Sequence, residues 1–135
     1  FYVEDNNIIG TGASLYKENT NYYSQGKRLC VTTKRLDDCN YNEGGFDLIK
    51  LDVQGSELDI ILGGIETFKQ SKYIIIETSL VEYNINSPQI DSIFNIMSEL
   101  GFYTNTIFEL HRNSLLNNSI FQIDFLFEKK DTGYK

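Results

Sequence analysis

Phe46 to Leu51 is a short, nearly continuous apolar run, the pattern of a strand buried on both faces of a parallel sheet. It stops abruptly at Asp52-Val53-Gln54-Gly55, where Gly55 permits a sharp turn. Ser56 is placed to cap a helix, and Asp59 stands at capping-box spacing from it. Leu58, Ile61, Leu62, Ile65 and Phe68 then fall on one helical face. Gly63 and Gly64 interrupt that face at roughly 1 kcal/mol each relative to Ala, so a break is predicted there. Tyr73 to Ile76 reads as the next strand, ending at Glu77. Ser87, Pro88 and Asp91 mark the start of a second helix whose apolar face is Ile90, Ile93, Phe94, Met97 and Leu100, with Gly101 as its stop. Phe102 to Leu110 and Ile120 to Glu128 read as two further strands, joined by a polar loop over His111 to Ser119. The last strand alternates, with Phe121, Ile123, Phe125 and Phe127 on one face and Gln122 and Asp124 on the other.

The first 26 residues carry little periodicity beyond an opening strand at Phe1 to Val3. Gly10-Thr11-Gly12 lacks the Lys or Ser/Thr and the following helix that a phosphate loop requires. Leu29 to Thr33 is predicted as a short β-branched strand, and Leu36 to Gly45 as an acidic, turn-rich connection. The order strand–helix–strand–helix–strand–strand predicts an α/β domain. A chain of 135 residues accommodates one such domain. It starts at Phe1, already in a strand-like stretch, and is read as a piece of a longer protein.

A formal net charge of −7 argues against a nucleic-acid partner. Lys27, Arg28, Lys34 and Arg35 form a modest basic cluster, read as a solvated edge. No apolar run is long enough to span a membrane, and nothing near the start has the basic and apolar regions of a signal peptide, so a cytoplasmic location is expected. Cys30 and Cys39 lack zinc-site spacing and are read as free thiols.

Lys50-x-Asp52-Val53-Gln54-Gly55-x-Glu57-Leu58, followed by Leu62-x-Gly64, resembles the signature of FkbM-type S-adenosylmethionine-dependent methyltransferases. The resemblance extends to Gly12 to Tyr16, Leu36-Asp37-Asp38, Glu77, Glu82-Tyr83-Asn84 with Pro88, Leu100-Gly101-Phe102, and Gln122-x-Asp124-x-Leu126-Phe127. It implies the second half of a Rossmann-like methyltransferase sheet, mostly parallel with an antiparallel C-terminal strand, and with the N-terminal strands missing. It implies S-adenosylmethionine as cofactor and a small-molecule or sugar hydroxyl as acceptor. The glycine-rich turn and the ribose-binding acid of such enzymes are not identifiable here, so these residues alone are expected to be inactive. A non-catalytic domain that retains the fold is the alternative from another class. An NAD-binding Rossmann domain is disfavoured because no GxGxxG with a following acid is present.

Asp52 and Glu77 are the leading candidates for chemistry, since each ends a predicted central strand and adjacent strands lie about 4.8 Å apart. Two such carboxylates can hold a divalent cation such as Mg²⁺, or one can act as general base. They can also simply take the turn's amides and a lysine. Asp52 and Gln54 are the expected cofactor contacts. Glu57, in a first helical turn where the dipole favours a carboxylate, is a further candidate. Lys50 is expected to pair with a rim acid or snorkel. Ser14, Tyr83 and Asn84, in loops around the expected pocket, are the candidate substrate contacts. His111, the one imidazole of the chain, has the chemistry of a base but is read as a surface group at the start of a loop. Absence of the fold's first strand would expose one edge of the strand at Asp47 to Asp52, favouring self-association or cover by Leu29 to Thr33.

Overall fold

The computed structural model describes residues 1–3, 13–17, 27–39, 41, 44–82, 84–114 and 117–130. Its elements are β1 (Tyr2–Val3), β2 (Lys27–Arg28), β3 (Leu48–Leu51), α1 (Glu57–Gly63), α2 (Ile65–Lys69), β4 (Tyr73–Ser79), α3 (Ile90–Glu99), β5 (Phe102–Asn113) and β6 (Ser119–Lys129). A 3-10 turn at Leu36–Asp38 precedes β3. Among the described residues the main sheet is four-stranded, in the order β3-β4-β6-β5. β3 and β4 pair in parallel, whereas β6 runs antiparallel to both β4 and β5. The sheet is therefore mixed: β3, β4 and β5 run in one direction and the C-terminal strand β6 opposes them, as expected for a mostly parallel sheet with an antiparallel C-terminal strand. The reason is the connection after α3: β5 and β6 form a hairpin, and the returning β6 inserts beside β4.

Register decides which side chains share a face. Ile49, Leu51, Ile74, Ile76, Phe125 and Phe127 point to the side covered by the helices. There Leu51, Ile74, Ile76 and Phe127 pack with Ile61 and Phe68 below the paired helices and with Ile93, Met97 and Leu100 of α3. Phe94 adds edge-on contacts to Phe125 and Phe127, with centroids 5.0 and 5.4 Å apart. Burying a side chain of this size contributes about 1.5–3 kcal/mol, which makes this face the main source of cohesion. The opposite face carries Lys50, Ile75, Glu77, Gln122 and Asp124.

The glycine signals hold. α1 ends at Gly63 and α2 starts after Gly64. A Cβ on Gly64 would lie 2.7 Å from Cδ2 of Leu36, so the 3-10 turn can seat only against glycine. That seat delivers Asp37, whose carboxylate accepts the Thr67 amide at 3.0 Å, the Glu66 amide at 3.2 Å and the Thr67 hydroxyl at 2.8 Å. Burial works to raise the Asp37 carboxyl, but these hydrogen bonds win and hold it below its ordinary range. Gly101, at φ 83°, ends α3 as expected. The Lys129 ammonium donates to the Leu100 carbonyl at 2.6 Å and caps the same end.

Several local expectations fail for identifiable reasons. Leu29 to Thr33 forms no strand; Lys27–Arg28 pairs with β1 instead, and Leu29 and Val31 are exposed with no layer to cover them. That segment therefore does not cover the outer edge of β3. Ser56 makes no capping hydrogen bond, and its hydroxyl is buried without a partner. Ser87 does not cap either: α3 starts at Ile90 with Gln89 as its cap, and the Ser87 hydroxyl donates to the Asn84 carbonyl at 2.9 Å. His111 lies inside β5, not in a loop, because the strand runs on to Asn113.

Candidate functional site at the end of the parallel strands

The turn after β3 is a left-handed pair, Gln54 at φ 55° and Gly55 at φ 101°. A non-glycine residue there is costly, and three side chains secure it. The Ser14 hydroxyl donates to the Gln54 carbonyl at 2.6 Å, and the Asn84 amide donates to the same oxygen at 2.7 Å. From the other side one oxygen of Glu57 accepts the Val53 and Gly55 amides, each at 3.2 Å. Glu57 thus does what was expected of Asp52, reaching back over the turn from the first helical residue. Burial pushes its carboxyl above the ordinary value, and the amides of Glu57 itself, Gly55 and Val53 offset only part of that.

So held, Gln54 points its side-chain amide at the two candidate acids. Nε2 donates to Asp52 at 3.2 Å and to Glu77 at 3.0 Å. Asp52 and Glu77 therefore face one rim and share a donor. Glu77 is 8% exposed, and the same oxygen accepts a second amide, from Gln122 at 2.8 Å. Its other oxygen lies 3.8 Å from Nε2 of His111, which is itself 2.9 Å from Asp124. Asp124 is 2% exposed and stands 3.9 Å from the ammonium of Lys50, which also pairs with Asp52 at 3.3 Å. Burial pushes the Glu77 carboxyl up to about 7; the charges of Asp52 and Asp124 add to this, His111 pulls against it, and Glu57 contributes last. The hydrogen bond to Asp52 raises the Lys50 ammonium against a smaller effect of burial.

The arrangement is a hydrogen-bonded network of amides, carboxylates, one imidazole and one ammonium. Among the described residues the group with donor atoms near enough to share a cation is Glu77, His111 and Asp124, all within 4.8 Å; Asp52 is outside it. The expected pair of Asp52 and Glu77 is a poor fit for Mg²⁺. The Gln54 amide already bridges the two acids, and Lys50 supplies the positive charge beside Asp52. A group accepting a donor from outside fits better at Asp52, whose side chain keeps 42% of its exposure.

Ser14 and Asn84, expected to contact substrate, are buried with their polar atoms on the Gln54 carbonyl. Tyr83 lies outside the described residues. Sequence reasoning set His111 at the surface rather than in the site, and took Gln122 and Asp124 as positions of the family resemblance on one face of a strand without giving them a role. The signal was that alternation: two polar residues facing inward on a strand whose other face is aromatic and aliphatic. No helix of the described residues is long and apolar enough to cross a membrane.

The family described as Methyltransferase FkbM domain matches residues 3–103. A 53-residue segment is 45% identical to the 2-O-methyltransferase NoeI of Sinorhizobium fredii, covering 38% of this chain and 22% of that protein. The chain thus matches less than a quarter of the length of this relative. No solved structure matches it.

Proposed function

The chain belongs to the FkbM methyltransferase family, and on that premise we propose that it forms part of an S-adenosylmethionine-dependent O-methyltransferase acting on a hydroxyl of a small molecule or sugar. The observation that carries this reading is the rim where Gln54 joins Asp52 to Glu77 at the C-terminal ends of the parallel strands. Ligands of open α/β sheets bind at such strand ends. The four strands are taken as the second half of a Rossmann-like methyltransferase sheet, with residues 1–135 as the C-terminal part of that domain.

Bound S-adenosylmethionine supplies an electrophilic methyl carbon on a sulfonium sulfur. The chain has to hold the acceptor oxygen in line and remove its proton. Glu77 suits the proton transfer, because a carboxyl brought up to about 7 is a base near neutral pH, where an ordinary glutamate is a weak one. Asp52 and Gln54 are assigned to the polar end of the cofactor and to aligning the acceptor. Glu57, Ser14 and Asn84 act through the turn, fixing the Gln54 backbone and so the direction of its amide. The relative named 2-O-methyltransferase supports oxygen as the accepting atom.

The test is methyl transfer from labelled S-adenosylmethionine to sugar and polyol acceptors by the parent protein containing this chain. Asp52→Asn is expected to lower kcat/KM about 100-fold by loosening the alignment of acceptor and cofactor, with the thermal midpoint nearly unchanged. Equal activity of the variant, or absence of transfer to every hydroxyl acceptor, overturns the reading.

A further inference from the structure

Beyond the family match, which ends at residue 103, β5 and β6 bring a second set of polar groups onto the same face of the sheet. His111 reaches from β5 across β6, placing Nε2 2.9 Å from Asp124 and 3.8 Å from Glu77. Two register shifts in β5, at Thr104/Thr106 and Ile107/Glu109, slide His111 along the site side until it pairs with Gln122, next to Asp124. Asp124 holds the imidazole from a position that water does not reach.

The charged groups facing Glu77 come from every neighbouring element: Lys50 on β3, Asp52 just after it, Glu57 on α1, Asp124 on β6 and His111 on β5. Three of these five are acids. Lys50 spends its charge on Asp52 and Asp124, with half of its side chain in solvent. His111 is the group that can place a positive charge beside the free oxygen of Glu77.

We propose that His111, held by Asp124, is a positioning residue for Glu77: in its protonated form it sets the pH range over which Glu77 ionises and can accept a proton. No bond to the substrate is assigned to it. The catalytic consequence rests on the function proposed above, whereas the electrostatic link stands on the geometry alone. An opposite charge within about 4–6 Å lowers a carboxyl by roughly 1–3 pH units. Losing the imidazole should therefore move the Glu77 midpoint upward.

Carboxyl-detected NMR titration of the full chain tests this. In His111→Gln the Glu77 midpoint should rise by about 1 pH unit; in His111→Lys, which restores a cation, it should return towards the wild-type value. A purely structural role would leave the two variants alike. Should the variants fail to fold, the wild-type protein decides alone: the Glu77 carboxyl and the His111 ring protons should each show the other's inflection. An unmoved Glu77 midpoint in His111→Gln, or independent single titrations in the wild type, overturns the proposal. In the methyl-transfer assay the acid limb of kcat/KM should move with the Glu77 midpoint. If the parent protein transfers no methyl group, the functional reading is what has failed, and the titration still judges the role of His111.

Discussion

Gly55→Ala tests whether the turn after β3 is as tightly determined as its contacts imply. The residue sits at φ 101°, a conformation that an L side chain rarely adopts. Backbone strain of this kind costs about 1–3 kcal/mol. A Cβ there would lie 3.0 Å from Cβ of Ser87 and 3.1 Å from Nδ2 of Asn84. Asn84 cannot retreat freely, since that amide donates to the Gln54 carbonyl at 2.7 Å. Displacing it forfeits a hydrogen bond worth about 1 kcal/mol. Against this, alanine restricts the unfolded chain and returns about 0.4–1 kcal/mol. The net expectation is a loss of about 2–3 kcal/mol. Urea unfolding measures it, with an unchanged m-value as the sign that only stability has moved. Gly44→Ala is the control: φ is 140° there, and nothing lies within 4 Å of the added Cβ. If Gly55→Ala costs no more than Gly44→Ala, the crowding by Asn84 and Ser87 has no energetic weight and the reasoning is wrong.

Three further outcomes follow from the same contacts. Asp37→Ala should cost about 1–2 kcal/mol in urea unfolding, the worth of a helix cap, and should speed hydrogen exchange at Thr67; unchanged exchange there would contradict the capping role. Glu77 carries a folded-state value of about 7 against an ordinary 4.5, so its contribution to stability is full below pH 4.5 and is lost as pH rises through 7. Relative to Glu77→Gln, the wild type should lose about 2 kcal/mol between pH 5 and 8, a figure reduced from the full shift because the rim is partly open to solvent; a difference independent of pH would refute it. Residues 1–135 alone should bind S-adenosylmethionine weakly, since no glycine-rich cofactor turn is identifiable in their sequence; a dissociation constant in the low micromolar range by calorimetry would contradict that.

What the sequence discloses here depends on how far each feature reaches. The break at Gly63 and Gly64, the stop at Gly101 and the apolar face of α3 are local, and spacing alone locates them. Asp52 and Glu77 are legible as a pair because strand ends in a parallel unit must lie side by side. Side-chain choices between near neighbours are less legible. Ser56 and Ser87 both look like caps, yet Glu57 takes the turn amides and Asn84 takes the Ser87 hydroxyl. His111 is harder still. Its pairing with Gln122, beside Asp124, depends on two register shifts of β5 against β6, and these leave no trace in an alternation read from one strand. Leu29 to Thr33 fails for the opposite reason, a strand-forming composition with no layer to pack on.

The two faces of the sheet answer to different demands. The helix side is apolar, its buried side chains forming one hydrophobic cluster. On the other side Glu77 and Asp124 are buried within reach of Asp52. Burying carboxylates near one another weakens a fold: desolvation and mutual repulsion both oppose it, and apolar residues of similar volume serve stability as well or better. Lys50 and His111 offset part of that cost but leave Glu77 with a raised carboxyl. Stability therefore supplies no reason for this cluster, which fits the acid–base role proposed for the strand ends. The distinction can be measured with Asp124→Leu. A variant that folds as tightly as the wild type, while Glu77 titrates at a different pH, places the cluster on the side of function. A collapse of the β5–β6 hairpin in that variant would instead make Asp124 a structural residue, and the cluster would then be explained by the fold it holds together.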